Sequence, residues 1–163
     1  MSKRARYIFF SLLISFYLNG CSSNNDVHSS KAIFKYDNSV IGDNNAVTNI
    51  VGQLQHSKEF SEVSLQTKTE PYGMTLTYNE IEARRIEKEY KETAVYNATF
   101  LFALVDNAEW ITFDFEDREY KITKRDLQNW YGKKLSEFTY EEELKSFVQE
   151  QLKDETKVNQ LLK

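Results

Sequence analysis

The 163-residue chain is poor in the residues that anchor much protein chemistry: one cysteine, two histidines, one proline and five glycines. The histidines, His28 and His56, lie far apart, and neither has a second histidine three to five residues away, so zinc-ligand spacing is missing and each reads as a solvated loop residue. No serine sits in a Gly-x-Ser-x-Gly elbow. Gly42, Gly52, Gly73 and Gly132 are too scattered for a phosphate-cradling loop. Long apolar runs are also absent: Tyr7 to Leu18 is an uncharged greasy stretch of twelve residues, short of the roughly 20 a spanning helix requires. These gaps point to no catalytic residues, no bound metal and no cofactor.

What is present begins with an address. Lys3, Arg4 and Arg6 precede the apolar run, and Leu18-Asn19-Gly20-Cys21 follows it, the charge, core and cut site of a secretion signal. The last four residues resemble the lipobox of bacterial lipoproteins, with Asn19 where alanine, serine or threonine is usual. The resemblance implies removal of residues 1–20 and a diacylglycerol thioether, with acyl chains such as palmitate, on Cys21. Two acyl chains hold a protein to a membrane where one binds only marginally, so the expected location is the extracytoplasmic face of the cell membrane. Acylation also removes the one thiol from disulfide formation and from nucleophilic catalysis.

Without the leader, 21 basic residues fall to 18 against 25 acidic ones, a formal balance of −7. That sign argues against nucleic acid as a partner and against polybasic attraction to lipid. The membrane, through the lipid on Cys21, and an envelope or membrane protein are the partners left. Residues 21–32 read as the lipidated cysteine and a flexible tether, 33–153 as one domain, and 154–163 as a frayed tail.

Within the domain, Asp43 or Asn44 is placed to cap a helix through Leu54 with Val47, Ile50, Val51 and Leu54 on one face. VSLQTKT and MTLTY alternate around EPYG and predict a first β-hairpin; WITFDFE and REYKIT predict a second. Between them a helix is expected from about Glu80 to Asp106, charged in its first half and apolar nearly all round in its second. Thr123 should cap a short helix ending at Gly132. Thr139 with Glu142 predicts a capping box before a helix bearing Leu144, Phe147, Val148 and Leu152. The order predicts an α+β domain: a largely antiparallel four-stranded sheet from two hairpins, with helices packed on one face.

Three stretches, SVIGDNNAVTNIVGQL, SLQTKTEPYGMTLTY and NATFLFALVDNAEWITFDF, resemble an uncharacterised domain of small lipoproteins in low-GC Gram-positive bacteria. That domain also occurs attached to antirepressor-type sensor metallopeptidases. The likeness runs from Tyr36 to Gly132 and is carried best by Ile41-Gly42-Asp43-Asn44, by Gln66-Thr67-Lys68 through Glu70-Pro71-Tyr72-Gly73, and by Leu101 to Asn107. Val40 departs from an expected aromatic, and QHSKEF lacks an expected proline. The resemblance implies no activity, because that family's function is unknown; its sensor-linked members imply a sensing or partner-binding role by analogy.

Of the remaining chemistry, Asp114, Glu116 and Asp117 lack the alternating acids and central glycine of a calcium hand and read as a solubilising strand face. Tyr72 at a turn, and Trp130 with Tyr131 near a helix end, are the candidate binding surface, since exposed aromatics are favoured contact residues. Each has a plainer alternative: Tyr72 folded back on its strand, Trp130 plugging the core edge. The expected function is a non-enzymatic binding or sensory-accessory module. The alternatives are an envelope enzyme using carboxylates and tyrosines, or an inhibitor or regulator of a membrane sensor peptidase.

Overall fold

The first helix is fixed by a local bond. Asp43 accepts from the Ala46 amide at 3.0 Å, and α1 runs Asn44–Val51, burying Ala46, Val47, Ile50 and Val51. This computed structural model describes residues 33–162; the expected leader, lipobox and tether, with Cys21 and His28, lie outside them. After α1 come β1 (Phe60–Gln66), β2 (Gly73–Tyr78), α2 (Ile86–Leu104), β3 (Trp110–Phe115), β4 (Arg118–Thr123), α3 (Lys124–Tyr131), α4 (Glu141–Leu152) and α5 (Glu155–Leu161). Short 3-10 turns at Phe34–Tyr36 and Leu135–Glu137 complete the elements.

The four strands form one sheet in the order β1-β2-β3-β4. β1 pairs antiparallel with β2 and β3 with β4, but β2 and β3 are parallel, with Met74 opposite Ile111 and Leu76 opposite Phe113. The sheet is therefore mixed, which corrects the expectation of a largely antiparallel one. The cause is α2: a helix of this length carries the chain back along the sheet before β3 begins, and parallel neighbours need such a crossover.

Alternation along the strands gives the sheet two unlike faces. Met74, Leu76 and Tyr78 on β2, Ile111, Phe113 and Phe115 on β3, and Ile122 on β4 are buried. They meet the apolar half of α2, where Ala94, Val95, Ala98, Leu101 and Leu104 are fully buried. Tyr90 stacks on Phe115 with ring centroids 4.3 Å apart and planes at 4°. Asn97 is buried among them, yet its amide is fully used. It donates to the Gln55 carbonyl and to the Tyr78 hydroxyl, each at 3.0 Å, and accepts from the Gln55 amide at 3.1 Å. A buried amide stripped of those partners would cost about 1–3 kcal/mol per orphaned group, so this residue pins the loop after α1 to the spine.

Four helical boundaries differ from expectation, the first being that α1 stops at Val51 instead of running through Leu54. α2 starts at Ile86, not near Glu80, because the chain first buries Ile81 in an irregular segment. The expected Thr139 capping box does not form: Tyr140 is the N-cap, without a side-chain bond, and Glu141, Glu142 and Glu143 face the positive end of the helix dipole instead. The frayed tail is also corrected. Asp154 caps α5 by accepting from the Lys157 amide at 3.0 Å, and Val158 and Leu162 are buried. By contrast, Thr123 caps α3, accepting from Asp126 at 3.1 Å, and Gly132 ends it in the left-handed region at φ 67°.

Candidate binding surface

Three loops that carry the family-like motifs meet at one end of the sheet. Ser39 pairs with Val105 in a parallel bridge; its amide donates to Leu104 at 3.0 Å, and Asp106 returns a bond to Ser39 at 2.9 Å. Two residues on, the Ile41 amide donates to the Asn107 side chain at 2.8 Å. The loop between β1 and β2 joins this strap from the other side, since the Glu109 amide donates to the Tyr72 carbonyl at 2.9 Å. Lys124 closes the cluster from the start of α3, its Nζ donating to the Asp106 carbonyl at 2.9 Å. Burial pulls this ammonium below the ordinary lysine value, partly offset by Asp106 and Glu109 nearby.

Tyr72 is half-buried at this end and lines a shallow depression of about 480 Å³ with Glu70, Pro71, Asn107 and Glu109. Val40, on the Ser39–Ile41 strap, is 49% exposed. Its loops are tied to one another by backbone bonds together with the Asn107 and Lys124 side chains.

Trp130 and Tyr131 occupy a different place. The Trp130 indole donates to the Lys157 carbonyl at 3.0 Å, and its ring lies 4.8 Å from that of Tyr131. Tyr131 shares a 2.6 Å hydroxyl bond with Thr99 and packs edge-on against Phe147. Burial pushes its phenol well above the ordinary tyrosine value, with the Thr99 bond opposing. Both side chains are thus engaged in joining α3 to α2, α4 and α5, which leaves Tyr72 as the member of the candidate set at a loop surface.

Other titratable groups are tied to one another. His56, expected in solvent, is half-buried, with Nε2 2.9 Å from Glu89 and Nδ1 3.4 Å from Glu59. A cleft of about 420 Å³ between α2 and α5 is lined by charges that cancel locally. Arg85 meets Glu155 at 2.5 Å, Lys91 meets Glu87 at 2.9 Å, and Lys91 also donates to Asn159 at 2.7 Å. Lys91 draws the Glu87 carboxyl below its ordinary value. Asp114 lies half-buried on a strand face, while Glu116 and Asp117 are exposed at the turn. No set of three or more metal-ligating side chains gathers among the described residues.

Residues 33–125 match the family described as Domain of unknown function (DUF4825). The chain belongs to the DUF4825 family. Its matched segment spans the strap, the sheet and α2, and ends just inside α3, so Trp130, Tyr131, α4 and α5 lie beyond it. No curated protein and no solved structure matches the chain. Neither Asn97 nor Trp110 was singled out in the sequence, and Asn107 stood out only as part of the family-like motif. Trp110 was detectable, because the alternation that turns Ile111, Phe113 and Phe115 inward sets an aromatic on the polar face.

Proposed function

We propose that this DUF4825 chain is a lipoprotein, anchored through Cys21 on the extracytoplasmic side of the membrane, acting as a non-enzymatic binding or sensory-accessory module. The observation that carries the reading is the position of the only thiol, directly behind a basic, then apolar, leader. The described domain supports it by packing its core without help from a disulfide. The loop surface around Tyr72 supplies a fixed platform for a partner, and a lipid raises the local concentration of that platform near membrane proteins without adding contacts. Among the described residues no helix is long and apolar enough to cross a membrane.

A second reading, regulation of a membrane sensor peptidase by strand addition, draws on the sheet edges. β4 carries Arg118, Glu119 and Lys121 along its edge, a charge pattern that discourages pairing, whereas β1 has Glu62 alone. An extended segment of a partner would add to β1.

Intact-mass measurement of the protein extracted from membranes, together with fractionation of a Cys21→Ser variant, tests the anchor. The reading expects a diacylglycerol adduct on an N-terminal Cys21 and loss of membrane association in the variant. An unmodified thiol, or a variant that sediments with membranes like the parent, would remove the anchor. For the binding role, affinity capture in detergent should return a stoichiometric partner whose affinity falls with Tyr72→Ala. Unchanged affinity in a folded variant would exclude the Tyr72 surface.

A further inference from the structure

The sheet face turned away from α2 carries side chains in rows set by the strand register. One row is Gln66, Gly73, Trp110 and Thr123; the next is Ser64, Thr75, Thr112 and Lys121. Trp110 is fixed in this face. Its indole lies against Gly73 so closely that a Cβ there would meet ring atoms at 2.1 Å, and its Nε1–H donates to the Pro71 carbonyl at 3.0 Å. The exposed Lys121 ammonium stands over the ring, 4.5 Å from its centroid.

Beside the indole runs a groove of about 460 Å³, lined by Trp110, the hydroxyls of Ser64 and Thr75, the Gln66 amide and Lys68. Its lining contains hydroxyls, an amide, one lysine and an aromatic ring, and no carboxylate, although acidic residues outnumber basic ones in the chain. Neither Lys68 nor Lys121 pairs with a carboxylate among the described residues.

The geometry points to a subsite for an anionic saccharide: a pyranose ring laid on Trp110, its hydroxyls bonded by Ser64, Gln66 and Thr75, and its acid group paired with Lys121 and Lys68. A pyranose offers an apolar C–H face to a flat ring and hydroxyls at its rim, which is the division of chemistry in this groove. The indole is already immobilised by Gly73 and Pro71, so little freedom is lost when a ring settles on it. Lys121 decides the charge. Lifting it off the indole gives up an exposed cation–π contact. An acidic sugar returns that loss through a charge-assisted hydrogen bond, and a neutral sugar does not.

The inference rests on the reading of the chain as a binding module but is independent of the lipid. Titration calorimetry of the full chain in detergent compares tetragalacturonate with the neutral cellotetraose. Saturable binding of the acidic sugar is expected, with the neutral one about fivefold weaker or worse. Trp110→Ala should weaken the acidic sugar by about tenfold. The double variant Lys68→Gln with Lys121→Gln, two exposed changes that leave the fold alone, should erase the preference between the two sugars. Equal affinity for both in the parent, no binding of either, or a preference that survives the double variant would overturn the subsite. An unlipidated chain that still binds the acidic sugar would remove the anchor and keep the subsite; a lipidated chain that ignores both sugars would do the reverse.

Discussion

The two faces of the sheet divide the work of the molecule. The inner face is a ladder of Met74, Leu76, Phe113 and Ile122, all buried, closed by the apolar half of α2. The outer face holds Ser64, Gln66, Thr75 and Lys121, each exposed or half-exposed, around one indole, with Thr112 and Gly73 buried between them. Burial of apolar area is the main favourable term in folding, so stability is concentrated on the inner side. Residues on the outer side are consequently free to serve recognition, because changing them leaves the core intact.

That division is open to attack, first where the effect is largest. Phe113→Ala empties a fully buried site at the middle of the inner face and should cost about 3–5 kcal/mol in urea unfolding. A loss below about 1 kcal/mol would mean that the inner face does not carry the fold. Asn97→Leu keeps the volume but orphans the Gln55 amide and carbonyl and the Tyr78 hydroxyl, for an expected loss of roughly 2–3 kcal/mol in the same assay.

Alkaline pH attacks the core through its tyrosines, Tyr78 on β2 and Tyr96 on α2. Burial, opposed by the Asn97 bond, pushes Tyr78 up to about 12, and burial with Glu141 and Glu142 does the same to Tyr96. A phenol raised in the folded state contributes its full stability below the unfolded value near 10 and loses it as pH climbs towards 12. Unfolding free energy should therefore fall across about pH 10 to 12, by up to about 1.4 kcal/mol per pH unit for each such tyrosine. Tyr96→Phe should make that slope shallower, and an unchanged slope would show that Tyr96 takes no part. Gly73→Ala is milder, because it displaces the Trp110 indole from the outer face while sparing the core. About 1 kcal/mol of destabilisation is expected, with a shift in indole fluorescence. An unshifted spectrum would mean that the indole does not rest on Gly73.

Local chemistry was the legible part of this fold. The Asp43 and Thr123 caps and the Gly132 stop each depend on residues within one turn, and the strand alternation depends on neighbours two apart. Strand direction was not legible in the same way, because whether β3 runs with or against β2 is decided by the path of the whole 19-residue α2. The final helix was missed because Val158 and Leu162 make an apolar stripe only once the chain folds back, and one tie that holds it there, from the Trp130 indole to the Lys157 carbonyl, joins residues 27 apart. At the outer face, Trp110 was visible but Gly73 beneath it was not, since a register between parallel strands leaves no mark in either segment. Tyr72 was found from its turn, whereas the Asn107 bond that fixes its surroundings joins residues 66 apart.

Ser64→Glu sets stability against recognition in a single substitution. Ser64 is exposed on β1 and lines the groove beside Trp110, so a carboxylate there meets solvent rather than core. Unfolding free energy and tetragalacturonate affinity, measured on the same preparation, should respond separately: stability within about 0.5 kcal/mol of the parent, and binding abolished by like-charge repulsion. Undiminished binding, or a fall in stability comparable to that of Phe113→Ala, would contradict a sheet that folds through one face and binds through the other.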